Sequence, residues 1–139
     1  MDTYTVNGRE FELQHHGVKG MKWGVRRAVK KSSRRAKLHS KQADGYKRIV
    51  DDINRGQYKQ YGYKTQKMAN ADAKNWKRMI SDERKIAKKW METHDELLSR
   101  SVNSAEAKRL VKSGMKYTRD VLLKGDTYVM NNAVTDKDA

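Results

Sequence analysis

The fold is decided by residues 67–99, which read KMANADAKNWKRMISDERKIAKKWMETHDELLS. Apolar side chains recur in this stretch mostly at spacings of three, four and seven, and charged residues fill the positions between them. That period predicts one long amphipathic helix. Its apolar face comprises Met68, Trp76, Met79, Ile80, Ile86, Ala87, Trp90, Met91, Leu97 and Leu98. Because Ser81-Asp82-Glu83 resembles a helix start, we expect a break or kink near residue 81.

Helices are also predicted on both sides of this segment. Upstream, Tyr46, Ile49, Val50 and Ile53 form one apolar face that ends at Asn54-Arg55-Gly56. Downstream, Asn103 precedes Glu106 by three residues, which is the spacing of a capping box. The pair Lys124-Gly125 is typical of a helix end. The sequence therefore predicts a helical domain over 43–125 and a C-terminal tail over 126–139. The last helix would place on one side Ala107, Leu110, Val111, Gly114, Thr118, Val121 and Leu122.

The N-terminal residues 1–14 have the pattern of a β-hairpin. Tyr4 and Val6 alternate with polar residues before Asn7-Gly8, and Phe11 and Leu13 alternate after it. Asn-Gly favours a type I′ turn, because both central residues of that turn need a positive φ.

Composition restricts the kind of protein this can be. The chain has 139 residues, a net charge of +15, and no Cys or Pro. Val, Ile, Leu and Phe make up about 16% of it, which is too little for a large catalytic core. We therefore expect a mainly α fold, an elongated three- to four-helix assembly with a short hairpin, whose core is completed by self-association as a homo-oligomer or by a partner. No apolar run is long enough to span a membrane, and the N-terminus lacks the pattern of a secretory signal. We thus expect a soluble chain made inside the cell, without a membrane partner.

A strongly basic segment precedes the helical domain. Ten Lys and Arg residues lie between positions 19 and 41, with no acidic residue among them. Ala28, Val29, Ala36 and Leu38 are too few for a core stripe, so residues 28–42 are predicted to be a basic helical arm. The arm is either a solvated helix or a surface that binds a polyanion. The polyanion-binding candidates are Lys30, Lys31, Arg34, Arg35, Lys37 and Lys41.

Catalytic and metal-binding patterns are not found in the sequence. His15 and His16 are adjacent and diverge on any regular backbone, and no third ligand has a suitable spacing. The carboxylate pairs are Asp51-Asp52, Asp82-Glu83 and Asp95-Glu96, and they are expected to pair with Lys or Arg of their own helices. Tyr58, Tyr61, Tyr63 and Trp76 lie among lysines, which fits either base stacking or helix packing. We predict a protein that is not an enzyme and has no metal and no cofactor.

Residues 15–27 read HHGVKGMKWGVRR. This string resembles a short signature found near the ends of many otherwise unrelated proteins of tailed bacteriophages and prophages. Several of those proteins are tied to head assembly or carried in the virion, and many have no assigned role. The resemblance implies a phage origin and a virion-associated role, in the host cytoplasm during assembly and afterwards in the particle. It covers about thirteen residues directly, or about twenty-seven with the hairpin before them, and we recognise no family in the remaining helical sequence.

Residues 15–27 also have the composition of a docking segment. Glycines allow a close backbone approach, Trp23 can fill a pocket, and the cations can pair with an acidic rim. The partner-binding candidates are Val18, Lys19, Met21, Lys22, Trp23, Arg26 and Arg27. The alternative is that Trp23 and Met21 cap the core of this chain.

Taken with the resemblance, these features predict a non-enzymatic structural protein that docks onto acidic phage structural proteins. A basic protein that binds DNA or RNA is the second hypothesis, and an inhibitor of a host defence system is the third.

Overall fold

The computed structural model describes residues 3–12 and 22–135. They form a two-stranded antiparallel hairpin and three long helices. The strands are β1 (Thr3–Val6) and β2 (Arg9–Glu12), and the helices are α1 (Trp23–Asn54), α2 (Gln66–Ser99) and α3 (Ser104–Asn131). A single 3₁₀ turn, Lys59–Tyr61, lies between α1 and α2. The predicted fold, mainly α with an N-terminal hairpin, is confirmed.

The tip of the hairpin packs against α1 and α2. Asn7 and Gly8 have φ angles of 51° and 83°, as the predicted turn requires. The Val6 side chain is fully buried in a cluster that includes Ala36 and Trp90. The Asn7 backbone N–H donates to Ser40 Oγ at 2.9 Å, and its side-chain amide donates to the Arg84 carbonyl at 2.9 Å. A hairpin of this size is marginal alone, so these contacts stabilise it.

The basic stretch is part of one continuous helix rather than an arm. The predicted boundaries at 27/28 and 42/43 both lie inside α1. The inference that this stretch lacks a core stripe was wrong, because buried small polar residues complete the stripe. The Ser32 hydroxyl donates to the Ala28 carbonyl at 2.8 Å, and the Ser33 hydroxyl donates to the Lys30 carbonyl at 3.0 Å. The buried residues of this part of α1 are Ala28, Val29, Ser32, Ser33, Ala36, His39, Ser40 and Ala43.

Helix α2 runs through residue 81 without the break that was predicted there. Asp82 and Glu83 resembled a helix start, but both are buried in the middle of the helix. Asp82 pairs with Arg78 of its own helix at 3.2 Å, as was predicted for this carboxylate. Glu83 instead contacts His39 Nδ1 of α1 at 2.5 Å. The residues that resembled a helix start are therefore buried packing residues in the interior of α2.

Helix α3 begins as predicted and ends later than predicted. The Asn103 side chain accepts a hydrogen bond from the Glu106 backbone N–H at 2.8 Å. The helix continues through Gly125 to Asn131, so residues 126–131 belong to it rather than to a tail. A Cβ at Gly125 would collide with the Asp82 carboxylate of α2. This glycine therefore permits a close helix approach and does not end the helix.

Candidate protein-docking surface

The face of α1 that points away from the core carries a line of cations that begins at a tryptophan. Trp23, Arg27, Lys30, Arg34 and Lys41 are all exposed, and they follow one another at spacings of four, three, four and seven. Those spacings keep them on one side of the helix. The Trp23 side chain is 65% exposed, and the Arg27 guanidinium lies 5.4 Å from its ring centroid. This line is called the α1 stripe below.

The first turns of α1 are held by contacts on the opposite side. Val25 and Val29 pack in a buried cluster with Leu97 of α2 and Ala107 of α3. A Cβ at Gly24 would lie 2.9 Å from the Ser104 hydroxyl, so α1 and α3 begin side by side. Trp23 is outside this cluster and exposed, which does not fit the alternative that it caps the core.

The candidate docking residues are only partly within the described chain. Lys22 is exposed just before α1, and Arg26 is half-buried. The Arg26 Nε is buried and has no hydrogen-bond acceptor among the described residues. Val18, Lys19 and Met21 lie outside the described residues, as do His15 and His16.

A basic groove of 590 Å³ lies along α1. Within residues 3–12 and 22–135, none of its five cations forms an ion pair with a carboxylate. Cations elsewhere do so: Lys47 pairs with Asp51 at 3.3 Å, and Arg100 pairs with Glu106 at 2.9 Å. The groove therefore presents positive charge that the described part of the chain does not neutralise. It is lined by Arg27, Lys30, Lys31, Arg34, Arg35 and Leu38. Of the predicted polyanion-binding residues, the structure brings four together here, and Lys37 and Lys41 do not line the groove.

A second, more apolar groove of 280 Å³ adjoins the first on the side of α3. Arg35 lines both grooves, and its guanidinium lies 5.5 Å from the Trp90 ring centroid. The Lys31 ammonium lies 3.6 Å from Met115 Sδ, which joins α1 to α3 at the same level. The second groove is lined by Arg35, Met115, Thr118, Arg119, Leu122, Leu123 and Asp126.

Sequence reasoning missed the α3 residues of this surface. It grouped Leu122 on one side of α3 with Ala107 and Gly114, which are buried, whereas Leu122 is 36% exposed. The signal that could have found them is the set of small residues Ala107, Gly114, Thr118 and Gly125, which are the buried positions of α3. A helix that buries only small residues leaves its larger apolar side chains on its flanks.

Tyr63, Trp76 and His94 lie in packing contacts within the described chain. Trp76 Nε1–H donates to the Tyr63 hydroxyl at 2.9 Å, and that hydroxyl contacts Asp72. Burial and the Asp72 hydrogen bond raise the pKa of Tyr63 to about 12. Burial lowers the pKa of His94, which is an interior residue of α2. For Tyr63 and Trp76, these contacts favour packing over base stacking.

Two negative findings concern the described residues only. In residues 3–12 and 22–135, no group of three or more His, Asp or Glu side chains could hold a metal ion. No helix in the same residues is both long enough and apolar enough to cross a membrane.

Residues 6–30 match a family whose description is a family of unknown function (DUF7211). No curated protein and no solved structure matches the chain. The matched stretch extends from Val6, at the tip of the hairpin, to Lys30 in α1. It therefore contains the HHGVKGMKWGVRR string and the first part of the α1 stripe, but not the α3 side of the surface.

Proposed function

We propose that this chain is a non-enzymatic, virion-associated or head-assembly protein of a phage, and that it docks onto other virion proteins through its basic N-terminal segment. The single observation that carries the proposal is the basic groove, whose cations have no carboxylate partner among the described residues, beside the exposed Trp23. The resemblance of residues 15–27 to the phage signature supports the choice of partner.

The arrangement has the physical requirements of an anchor with a charged rim. A tryptophan that is buried in a pocket of the partner contributes strongly to affinity. The surrounding cations contribute more to association rate and orientation than to affinity. Arg27 stacks on the Trp23 ring and so restricts where that ring can point. An acidic surface on the partner would neutralise the groove. The partner is therefore expected to have an apolar pocket with acidic residues around it.

Particle incorporation tests the proposal directly. Particles of the phage that encodes the chain would be purified with wild-type protein, with Trp23→Ala, and with Lys30→Glu combined with Arg34→Glu. Because all three residues are exposed, we expect both variants to remain folded. We also expect both variants to be lost from the particle. The matched controls are Met130→Ala, an exposed apolar residue outside the stripe, and Lys85→Glu combined with Lys88→Glu on α2.

Two outcomes would contradict the proposal. Wild-type protein absent from purified particles would remove the virion role. Incorporation that ends when the particle's nucleic acid is digested, and that tolerates Trp23→Ala, would favour the nucleic-acid hypothesis instead.

A further inference from the structure

We propose that the surface between α1 and α3 binds an acidic amphipathic helix of a partner protein. The proposal rests on the proposed function, to which it adds the chemistry of the partner. Four exposed apolar side chains lie there beside six cations. The apolar floor consists of Leu38, Met115, Leu122 and Leu123. The cations are the five of the basic groove together with Arg119.

The floor is exposed because of how α3 packs. The Trp90 ring lies 2.9 Å from the position of a Cβ on Gly114, so the two helix backbones are as close as that ring permits. Large side chains next to the small buried residues of α3 cannot enter this contact. Met115, Leu122 and Leu123 are accordingly 42%, 36% and 59% exposed. A cluster of large exposed apolar side chains is typical of an interaction site.

The shape of the surface favours a helix as its occupant. Helices α1 and α3 begin at the same end and are separated along the chain by α2, so they run in the same direction as neighbours. Met115 and Leu122 are two helical turns apart, or roughly 10 Å along α3. A helix with apolar residues at positions i, i+3, i+4 and i+7 could meet both, and would complete a four-helix arrangement.

The charge of the surface favours an acidic occupant. Its two grooves are lined by six cations and by a single carboxylate, that of Asp126. A second copy of this chain also carries a net charge of +15. If two copies paired through this surface, the cations of one copy would face the same cations of the other and repel them. Nucleic acid would satisfy the cations but would leave the apolar floor without an apolar partner. An acidic helix with an apolar stripe satisfies both parts of the surface.

A designed peptide tests this chemistry with the full-length protein. The probe is a labelled peptide of about 20 residues, long enough to form a helix on binding. It has leucine along one face and glutamate on the other faces. Its control is a scrambled peptide of the same composition, which keeps the charge but loses the stripe. We expect saturable binding of the striped peptide with a gain in helicity, and at least about tenfold weaker binding of the scrambled one.

Paired substitutions identify the surface that the peptide uses. Leu122→Ser combined with Leu123→Ser should weaken binding by about tenfold or more, because these side chains form the floor. Met130→Ser is the matched control, since Met130 is 77% exposed and outside the floor. Lys30→Glu combined with Arg119→Glu should also weaken binding. Lys124→Glu, on the other flank of α3, should not. Circular dichroism would check that each variant keeps its helicity.

Three results would overturn the proposal. Equal affinity for the striped and scrambled peptides would mean that charge alone explains binding. A dimer that Leu122→Ser with Leu123→Ser abolishes would make a second copy the occupant. Duplex DNA that displaces the peptide at about 150 mM salt would make nucleic acid the occupant. None of these measurements involves Trp23 or particle incorporation, so their failure is distinguishable from failure of the proposed function.

Discussion

The Trp90 indole ring lies directly over Gly114, 2.9 Å from where a Cβ of that residue would be. The ring is fully buried, and its Nε1–H donates to the Thr118 hydroxyl at 2.9 Å, one turn further along α3. That hydroxyl in turn donates to the Gly114 carbonyl at 2.8 Å. The two α3 residues therefore fix both the distance and the rotation of α3 relative to α2.

Gly114→Ala is expected to destabilise the protein. The added methyl group would force the large Trp90 ring to move, and overpacking of this kind costs about 1–3 kcal/mol. Gly45→Ala in α1 is the matched control, because its Cβ would meet only Arg48 at 3.9 Å. There the same change should raise stability by about 0.5–1 kcal/mol, the usual gain in helix propensity. Urea denaturation of both variants measures the difference, and a stabilised Gly114→Ala would contradict the packing described here.

The hairpin is expected to contribute to the stability of the helices. Val6→Ala removes two buried methyl groups from the cluster that contains Trp90, and should lower the free energy of unfolding by about 1–3 kcal/mol. Thr5→Ala, at the neighbouring exposed position, should change it by no more than about 0.5 kcal/mol. Thermal denaturation followed by circular dichroism would measure both. Equal effects of the two changes would mean that the hairpin does not share the helical core.

The order and type of the helices could be predicted from the sequence, because apolar periodicity and capping signals are local. The Asn103 cap and the Asn7-Gly8 turn are both determined by residues within a few positions of one another. Pairings between distant residues gave no such signal. The buried Ser40 accepts a hydrogen bond from the Asn7 backbone N–H, and Gly125, inside α3, lies against the Asp82 carboxylate. Neither contact has a trace in the neighbouring sequence.

The same distinction applies to the candidate site. The cations of α1 could be predicted from their number in a single stretch of sequence. That they lack carboxylate partners in the described chain depends on what α2 and α3 place near them. The prediction for α3 missed the apolar floor, because the exposure of Leu122 and Leu123 follows from which residues α3 buries, and the only sequence sign of that choice is the spacing of its small residues.

Stability is expected to fall as the solution becomes acidic, in part because of His94. Burial lowers the pKa of His94, and the hydrogen bond to Asp95 offsets this only in part. Below the ordinary histidine pKa of about 6.5, the unfolded chain takes up a proton that the folded chain resists. The contribution of neutral His94 is therefore complete above that pH, and it is lost as the pH falls toward the lowered value.

A comparison with His94→Gln tests this contribution. Urea denaturation between about pH 7.5 and pH 5.5 should give a smaller loss of stability in the variant than in the wild type. The slope against pH is the readout, so a general loss of stability in the variant does not affect the test. Identical slopes would show that His94 is not held neutral by the fold.

The final prediction separates docking to protein from binding to nucleic acid. Ten cations between residues 19 and 41 could bind duplex DNA through phosphate contacts. If six to ten phosphates were neutralised, affinity should fall by about 10³–10⁵ between 50 and 200 mM salt. A docking segment uses the same charges only at its rim, so its salt dependence should be modest.

We expect weak DNA binding that is largely lost at about 200 mM salt, and a tight virion-protein partner that survives nuclease treatment of a phage lysate. The measurements are a salt titration with labelled duplex and a pull-down with and without nuclease. Tight DNA binding with a steep slope, and no nuclease-resistant partner, would favour a nucleic-acid-binding protein.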